Sequence, residues 1–294
     1  MHRFWDPIIR PIVDSLHRPK ICEIGSQAGD GTLALLEYVA TRGGFVHFID
    51  PERPHNWEAL QRYLPEHGLL HEKPSLEVLP DLEPCDVYLI DGDHNHYTVF
   101  SELAHILGAE RLDPPLIFLH DVEWPYGRRD LYYAPDGIPL EVRNVWLRRG
   151  IRPGEPQVAS AGGLNPHLAH AVVEGGPKNG VRTAVEDALA SAPGWSAVYV
   201  RGLHGLAVLH HRNTNPETVR RIQELEDMAL VSSSYVSVIE EDRLQRLVQT
   251  AELSASVPES YRDELSEARL SLQAAKADVR TLEGRSRIWR GGRG

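Results

Sequence analysis

Residues 20–31 read Lys20-Ile21-Cys22-Glu23-Ile24-Gly25-Ser26-Gln27-Ala28-Gly29-Asp30-Gly31. The run 20–24 predicts a buried strand, and Leu33, Leu35, Leu36 and Val39 predict a helix over residues 30–41. A strand that passes through a glycine turn into a helix opens a βα unit. The same alternation continues downstream. Strands are expected at 45–49, 85–90 and 115–119, and helices at 54–64, 97–108 and 180–191. Two further strand-like runs, 195–201 and 205–210, are separated only by Gly202, Leu203 and His204, so they form a hairpin. Strands alternating with helices imply an α/β fold: a mostly parallel sheet covered on both faces, with an antiparallel strand at its end.

The chain has 294 residues and divides at Asn213-Thr214-Asn215-Pro216. Residues 1–212 are expected to form the α/β domain and 213–294 a helical extension. Within the domain, 122–178 is rich in Gly, Pro, Arg and aromatics and reads as a substrate or lid insertion. In the extension, Tyr261, Leu265, Ala268, Leu272, Ala275, Val279 and Leu282 are spaced 4-3-4-3-4-3. That is a heptad seam, and it predicts a coiled coil and homo-oligomers formed through the C-terminal helices.

Composition excludes several classes. The formal net charge is −11, so the chain as a whole offers no basic face to nucleic acid or to an anionic membrane. Only Arg285, Arg287, Arg290 and Arg293 form a local basic cluster. No run approaches the ~18 apolar residues of a membrane span. Met1 to Pro7 lacks the apolar core of a secretory signal. Cys22 and Cys85 are the only cysteines, too few for a disulfide framework or a Cys-only zinc site. A cytoplasmic setting is the expectation.

The glycine spacing is G-x-x-x-G-x-G, not the G-x-G-x-x-G of dinucleotide binders. Glu23 and Asp30 make the loop acidic, which suits a ligand with a cationic end better than a diphosphate. Asp50 ends the second strand, where a carboxylate accepts hydrogen bonds from ribose hydroxyls. Glu23, Gly25, Gly29 and Gly31 together with Asp50 resemble the cofactor signature of class I S-adenosylmethionine-dependent methyltransferases. The resemblance implies a Rossmann-like methyltransferase sheet. It also implies that the loop packs on the methionine part of the cofactor while Asp50 holds the ribose.

The fourth strand ends in Ile90-Asp91-Gly92-Asp93-His94 and the next in Leu119-His120-Asp121-Val122-Glu123. Neighbouring parallel strands bring both ends to the ligand-binding edge of the sheet. Asp91 and Asp121 can converge there with Asp93, His94 and His120 nearby. The oxygen-rich set suits Mg²⁺, and the histidines also admit Mn²⁺ or Zn²⁺. A cation would lower the pKa of an alcohol, and Asp93 or His94 would take its proton.

This pattern resembles the metal-dependent sugar O-methyltransferases and their cephalosporin-hydroxylase-like relatives over residues 20–211. The resemblance implies that Asp91 also adjoins the cofactor. It implies as well that an acidic pair after the fifth strand binds metal. The first member of that pair is here His120, so either His120 or Glu123 completes the set. Trp124, Tyr126, Arg128, Arg129, Tyr132 and Tyr133 follow at once, and aromatic faces with Arg donors suit a sugar or glycan-like acceptor. His167 and His170 read as ordinary surface residues.

The expected function is metal-assisted O-methylation with S-adenosylmethionine. The alternatives are a nucleotide-dependent oxidoreductase, which the loop spacing and Glu23 disfavour, and a non-catalytic coiled-coil assembly module, which the intact acidic set disfavours.

Overall fold

A computed structural model describes residues 1–109, 111 and 113–256. The heptad seam and the basic cluster lie outside the described residues. Ten strands occur among the described residues: β1 (Lys20–Ile24), β2 (Phe45–Ile49), β3 (Gly68–His71), β4 (Val87–Ile90), β5 (Leu116–His120), β6 (Leu131–Tyr132), β7 (Trp146–Arg148), β8 (Ala169–Ala171), β9 (Trp195–Val200) and β10 (Leu206–His211). Seven form the main sheet in the order β3-β2-β1-β4-β5-β10-β9. The first five are parallel, and β10 runs antiparallel to both β5 and β9. The Rossmann-like sheet with an antiparallel terminal hairpin is therefore present as expected.

Alternation along each strand builds two apolar layers. Cys22, Ile24, Ile90, Ile117 and Leu119 face one layer, closed by helices His96–Gly108 and Val181–Ala190. Ile21, Val46, Phe48, Leu89 and Phe118 face the other, closed by helix Asp30–Arg42 and an N-terminal helical segment through Trp5, Ile9 and Val13. The long helix Pro216–Ser256 places Ile222 and Leu225 in the second layer and Val248 in the first.

Three features differ from expectation. β3 is a short edge strand without alternation, which periodicity does not detect. The helix expected over 54–64 is only an α-turn, Trp57–Leu60, followed by the 3-10 turn Gln61–Tyr63. The insertion has regular structure of its own, a small antiparallel sheet β6-β8-β7. Arg129 locks it from inside: it is fully buried and donates to the carbonyls of Ala171 and Pro156.

Sheet order fixes the site. The chain moves outward from β1 through β2 to β3, then returns to pair β4 with the other side of β1. Such a switch point opens a crevice at the carboxyl ends of β1 and β4. The glycine loop and Asp91 stand there.

Candidate active site

Gly25 adopts φ +87°, and a Cβ there would lie 2.4 Å from the Asp91 carbonyl oxygen. Only glycine allows the loop to touch the end of β4. Gly29, at φ +85°, caps helix Asp30–Arg42, and its own Cβ would meet the Asn56 side chain. Gly31 leaves room for Glu23, whose Oε1 would lie 2.8 Å from an added Cβ. Glu23 is buried behind the loop and accepts a short hydrogen bond from Thr32. Burial pushes its carboxyl up to about 7, although the Thr32 hydroxyl works the other way. Glu23 thus supports the loop from beneath. Asp50 holds the loop from above: Oδ2 accepts from the Ser26 amide at 2.8 Å and the Gln27 amide at 3.2 Å, and Oδ1 from the Glu52 amide at 2.9 Å.

A cleft of about 1270 Å³ lies over this edge and is lined by Gly25, Asp50, Asp91, Asp93, His94 and Asp121, among others. One ligand atom each from Asp91, His94 and Asp121 lies within 4.8 Å of the others. Two carboxylates and an imidazole form a donor set that fits a divalent cation. His94 Nε2 is 3.3 Å from Asp121 Oδ2, and its ring stacks on Tyr126 with centroids 5.1 Å apart. Asp121 is held at φ +58°, a left-handed conformation that is rare for a residue with a side chain.

His120 stands differently. Its Nδ1 is 3.0 Å from both Asp91 Oδ1 and Asp121 Oδ2, and its Nε2 is 2.8 Å from the Leu203 carbonyl. With both nitrogens engaged, it bridges the two carboxylates, and His94 is the imidazole grouped with them. Burial opposes charge on His120, yet the flanking aspartates push it up to about 10. Burial likewise opposes charge on Asp91, but the His120 ring and the Met1 ammonium, 2.6 Å away, hold its carboxyl well below the usual range. Burial again opposes charge on Asp121, and the rings of His94 and His120 lower its carboxyl. Asp93 lines the cleft and accepts from the Thr98 hydroxyl at 3.1 Å. Glu123 turns to the hairpin side, where it faces Arg201 at 3.6 Å.

The aromatic cluster divides. Tyr126, Tyr132 and Tyr133 line the cleft. Tyr126 accepts from Asn165, and Tyr132 donates to Asp130. Asp130 also accepts from the His96 and Gly180 amides and so ties the insertion to the helix starts beside the site. Trp124 and Arg128 are not among the cleft-lining residues. Trp124 packs on the apolar layer of the insertion side, and Arg128 forms a double contact with Glu186. His170 is a core residue rather than a surface one. It is fully buried, stacks on Tyr126 and engages the Arg149 carbonyl, and burial pushes its ring down to about 4.

Several wall residues carry no sequence signal. Met1 to Phe4 reach the cleft from the N-terminal helical segment, Ser75 to Glu77 from the turn after β3, and Arg243 and Leu247 from the long helix. A motif at the carboxyl end of a strand marks chemistry at that edge of the sheet, but nothing local marks a distant helix that folds over it.

No curated protein sequence matches the chain. Its fold is similar to that of the S-adenosylhomocysteine-bound methyltransferase PaMTH1 of Podospora anserina, at 18% identity over 69% of this chain and 75% of that one, with a TM-score of 0.42. It is also similar to the 1,6-didemethyltoxoflavin-N1-methyltransferase of Burkholderia thailandensis, at 18% identity over 73% and 80%, with a TM-score of 0.41. A third likeness is to human N-acetylserotonin methyltransferase, at 16% identity over 71% and 53%, with a TM-score of 0.38. The family model described as a methyltransferase domain matches residues 22–122, the stretch that runs from β1 through the glycine loop and Asp91 to Asp121 and Val122.

Proposed function

We propose that the protein is an S-adenosylmethionine-dependent O-methyltransferase that uses a divalent cation, Mg²⁺ or Mn²⁺, and acts on a hydroxyl of a sugar or glycan-like acceptor. The observation that carries this reading is the gathering of Asp91, His94 and Asp121 donor atoms within 4.8 Å of one another beside the glycine loop. The loop and Asp50 would hold the cofactor, with Asp50 keeping one lone-pair set for ribose hydroxyls besides its loop amides. Asp91, His94 and Asp121 would hold the cation, which when bound lowers the pKa of a coordinated hydroxyl.

With His94 grouped among the donors, Asp93 is the residue left to accept the hydroxyl proton. Thr98 fixes one of its oxygens, which orients the carboxylate toward its task without neutralising it. Tyr133, the exposed tyrosine of the cleft wall, would supply an apolar face against which a pyranose ring stacks, while the buried Tyr126 and Tyr132 support that wall. His120 and Leu203 orient the two aspartates.

The test is transfer of a labelled methyl group from S-adenosylmethionine to a panel of sugars and glycosides, with and without EDTA. Turnover that EDTA abolishes and Mg²⁺ or Mn²⁺ restores is expected. Transfer that proceeds fully in EDTA removes the metal from the mechanism, and transfer only to amines removes the hydroxyl acceptor.

A further inference from the structure

The hairpin turn between β9 and β10 has four consecutive residues with positive φ: Gly202 at 92°, Leu203 at 50°, His204 at 73° and Gly205 at 83°. Leucine and histidine rarely adopt this conformation, because Cβ crowds the following carbonyl. Something outside the turn must hold it. The turn closes through Gly205 N–H to Gly202 carbonyl at 2.9 Å, and the His204 carbonyl accepts from the Glu123 amide at 2.8 Å. The His204 ring adds a contact to the Trp124 carbonyl at 3.0 Å, and a further anchor of the turn's backbone comes from the long helix. Glu240 Oε1 accepts from the His204 amide at 3.2 Å, and the Leu203 amide also favours the charged carboxylate. Successive amides in a left-handed turn form a concavity that takes an anion. Arg243 completes the arrangement, donating to both oxygens of Glu240 at 2.7 Å.

This turn is part of the candidate site. Its Leu203 carbonyl is the partner of His120 Nε2, and His120 Nδ1 faces Asp91 and Asp121. A continuous set of contacts therefore runs from the long helix to the carboxylates. We propose that Glu240 is a positioning residue: by holding the left-handed turn 202–205 it sets the Leu203 carbonyl, and through it the orientation of His120 between Asp91 and Asp121. The inference rests on the reading of Asp91, His94 and Asp121 as the cation site, but its first readout does not require a cation.

Another tether of the same helix provides the control. Glu252 accepts from Arg152 at 2.6 Å and from the Gly163 amide at 3.0 Å, so it ties the helix to the insertion and not to the hairpin turn. The experiment compares wild type, Glu240→Ala, Glu240→Gln and Glu252→Ala, all as full chains. The first readout is the His120 Nε2–H resonance in ¹⁵N NMR, protected from solvent exchange by Leu203. The second is Mn²⁺ affinity by calorimetry, with the metal alone as probe.

Glu240→Ala should lose the protected resonance and bind Mn²⁺ at least tenfold more weakly. Glu240→Gln, which keeps an acceptor for His204, should retain the resonance. Glu252→Ala should match wild type in both. If Glu240→Ala does not fold, Glu240→Asp takes its place: its carboxylate, one methylene shorter, is drawn back from the His204 amide, so loss of the resonance is expected and an unchanged resonance overturns the inference. It is also overturned if wild type lacks the protected resonance, if Glu240→Ala keeps it, or if Glu252→Ala loses it equally. A wild type that shows the resonance, loses it in Glu240→Ala and binds no Mn²⁺ supports the positioning role while refuting the cation site.

Discussion

The backbones of Gly25 and Asp91 are packed so closely that no side chain fits between them: an added Cβ on Gly25 would sit 2.4 Å from the Asp91 carbonyl and 2.5 Å from Gly92 Cα. The glycine loop and the acidic cluster are thus one rigid unit across β1 and β4. Gly25→Ala should strain the left-handed backbone by ~1–2 kcal/mol and displace the end of β4 as well. S-adenosylhomocysteine affinity, measured by calorimetry, is expected to fall at least tenfold. Gly108→Ala, whose Cβ meets nothing within 4 Å, should leave it unchanged.

Asp50→Ala removes the acceptor for three backbone amides at once. Both the loop and the ribose contact should suffer. A loss of roughly 1.5–3 kcal/mol in S-adenosylhomocysteine binding is expected from a charged acceptor removed from such donors. Unchanged calorimetric affinity would contradict the role given to Asp50.

Asp93→Asn should separate chemistry from binding. A general base contributes about 10²–10⁴-fold to turnover, so kcat should drop by that factor while cofactor and Mn²⁺ affinities stay near wild type. His94→Ala should do the opposite first, weakening Mn²⁺ binding. An ascending limb of the pH–rate profile that disappears in His94→Ala and persists in Asp93→Asn would assign the base to His94 instead.

Glu102 is fully buried on the inner face of helix His96–Gly108 and accepts from Ser75. Burial is the main cause that pushes its carboxyl up to about 8, with Asp93 adding to it. The folded protein therefore binds a proton that the unfolded chain has released once pH passes the ordinary glutamate range. The sign is that stability falls as pH rises between about 4.5 and about 8. Glu102→Gln has no proton to lose and should flatten that fall by up to a few kcal/mol. Urea unfolding at pH 5 and pH 8 measures it; equal pH slopes in variant and wild type would contradict the assignment.

The parallel sheet, the glycine loop, Asp50 and the gathering of Asp91 with Asp121 were legible because each depends on local pattern and on the rule that parallel strand ends share an edge. The identity of the grouped imidazole was not. His94 and His120 are both close to the acids in sequence, and only the Leu203 carbonyl, 83 residues downstream of His120, decides that His120 bridges while His94 joins the donors. Arg128 reads locally as a substrate contact, but Glu186, 58 residues away, engages its guanidinium. Glu240 and Arg243 carried no signal, since a charged pair on a polar helix ordinarily reads as solvated surface. Their meaning comes from the turn they cover.

The proposed cation site of Asp91, His94 and Asp121 stands beside the glycine loop. Calorimetric titration of Mn²⁺ into the protein saturated with S-adenosylhomocysteine tests it most directly. About one equivalent is expected to bind to wild type, with strongly weakened binding in Asp91→Asn and in Asp121→Asn, since an amide lacks the charge a hard cation requires. No binding by wild type, or equal binding by both variants, would contradict it.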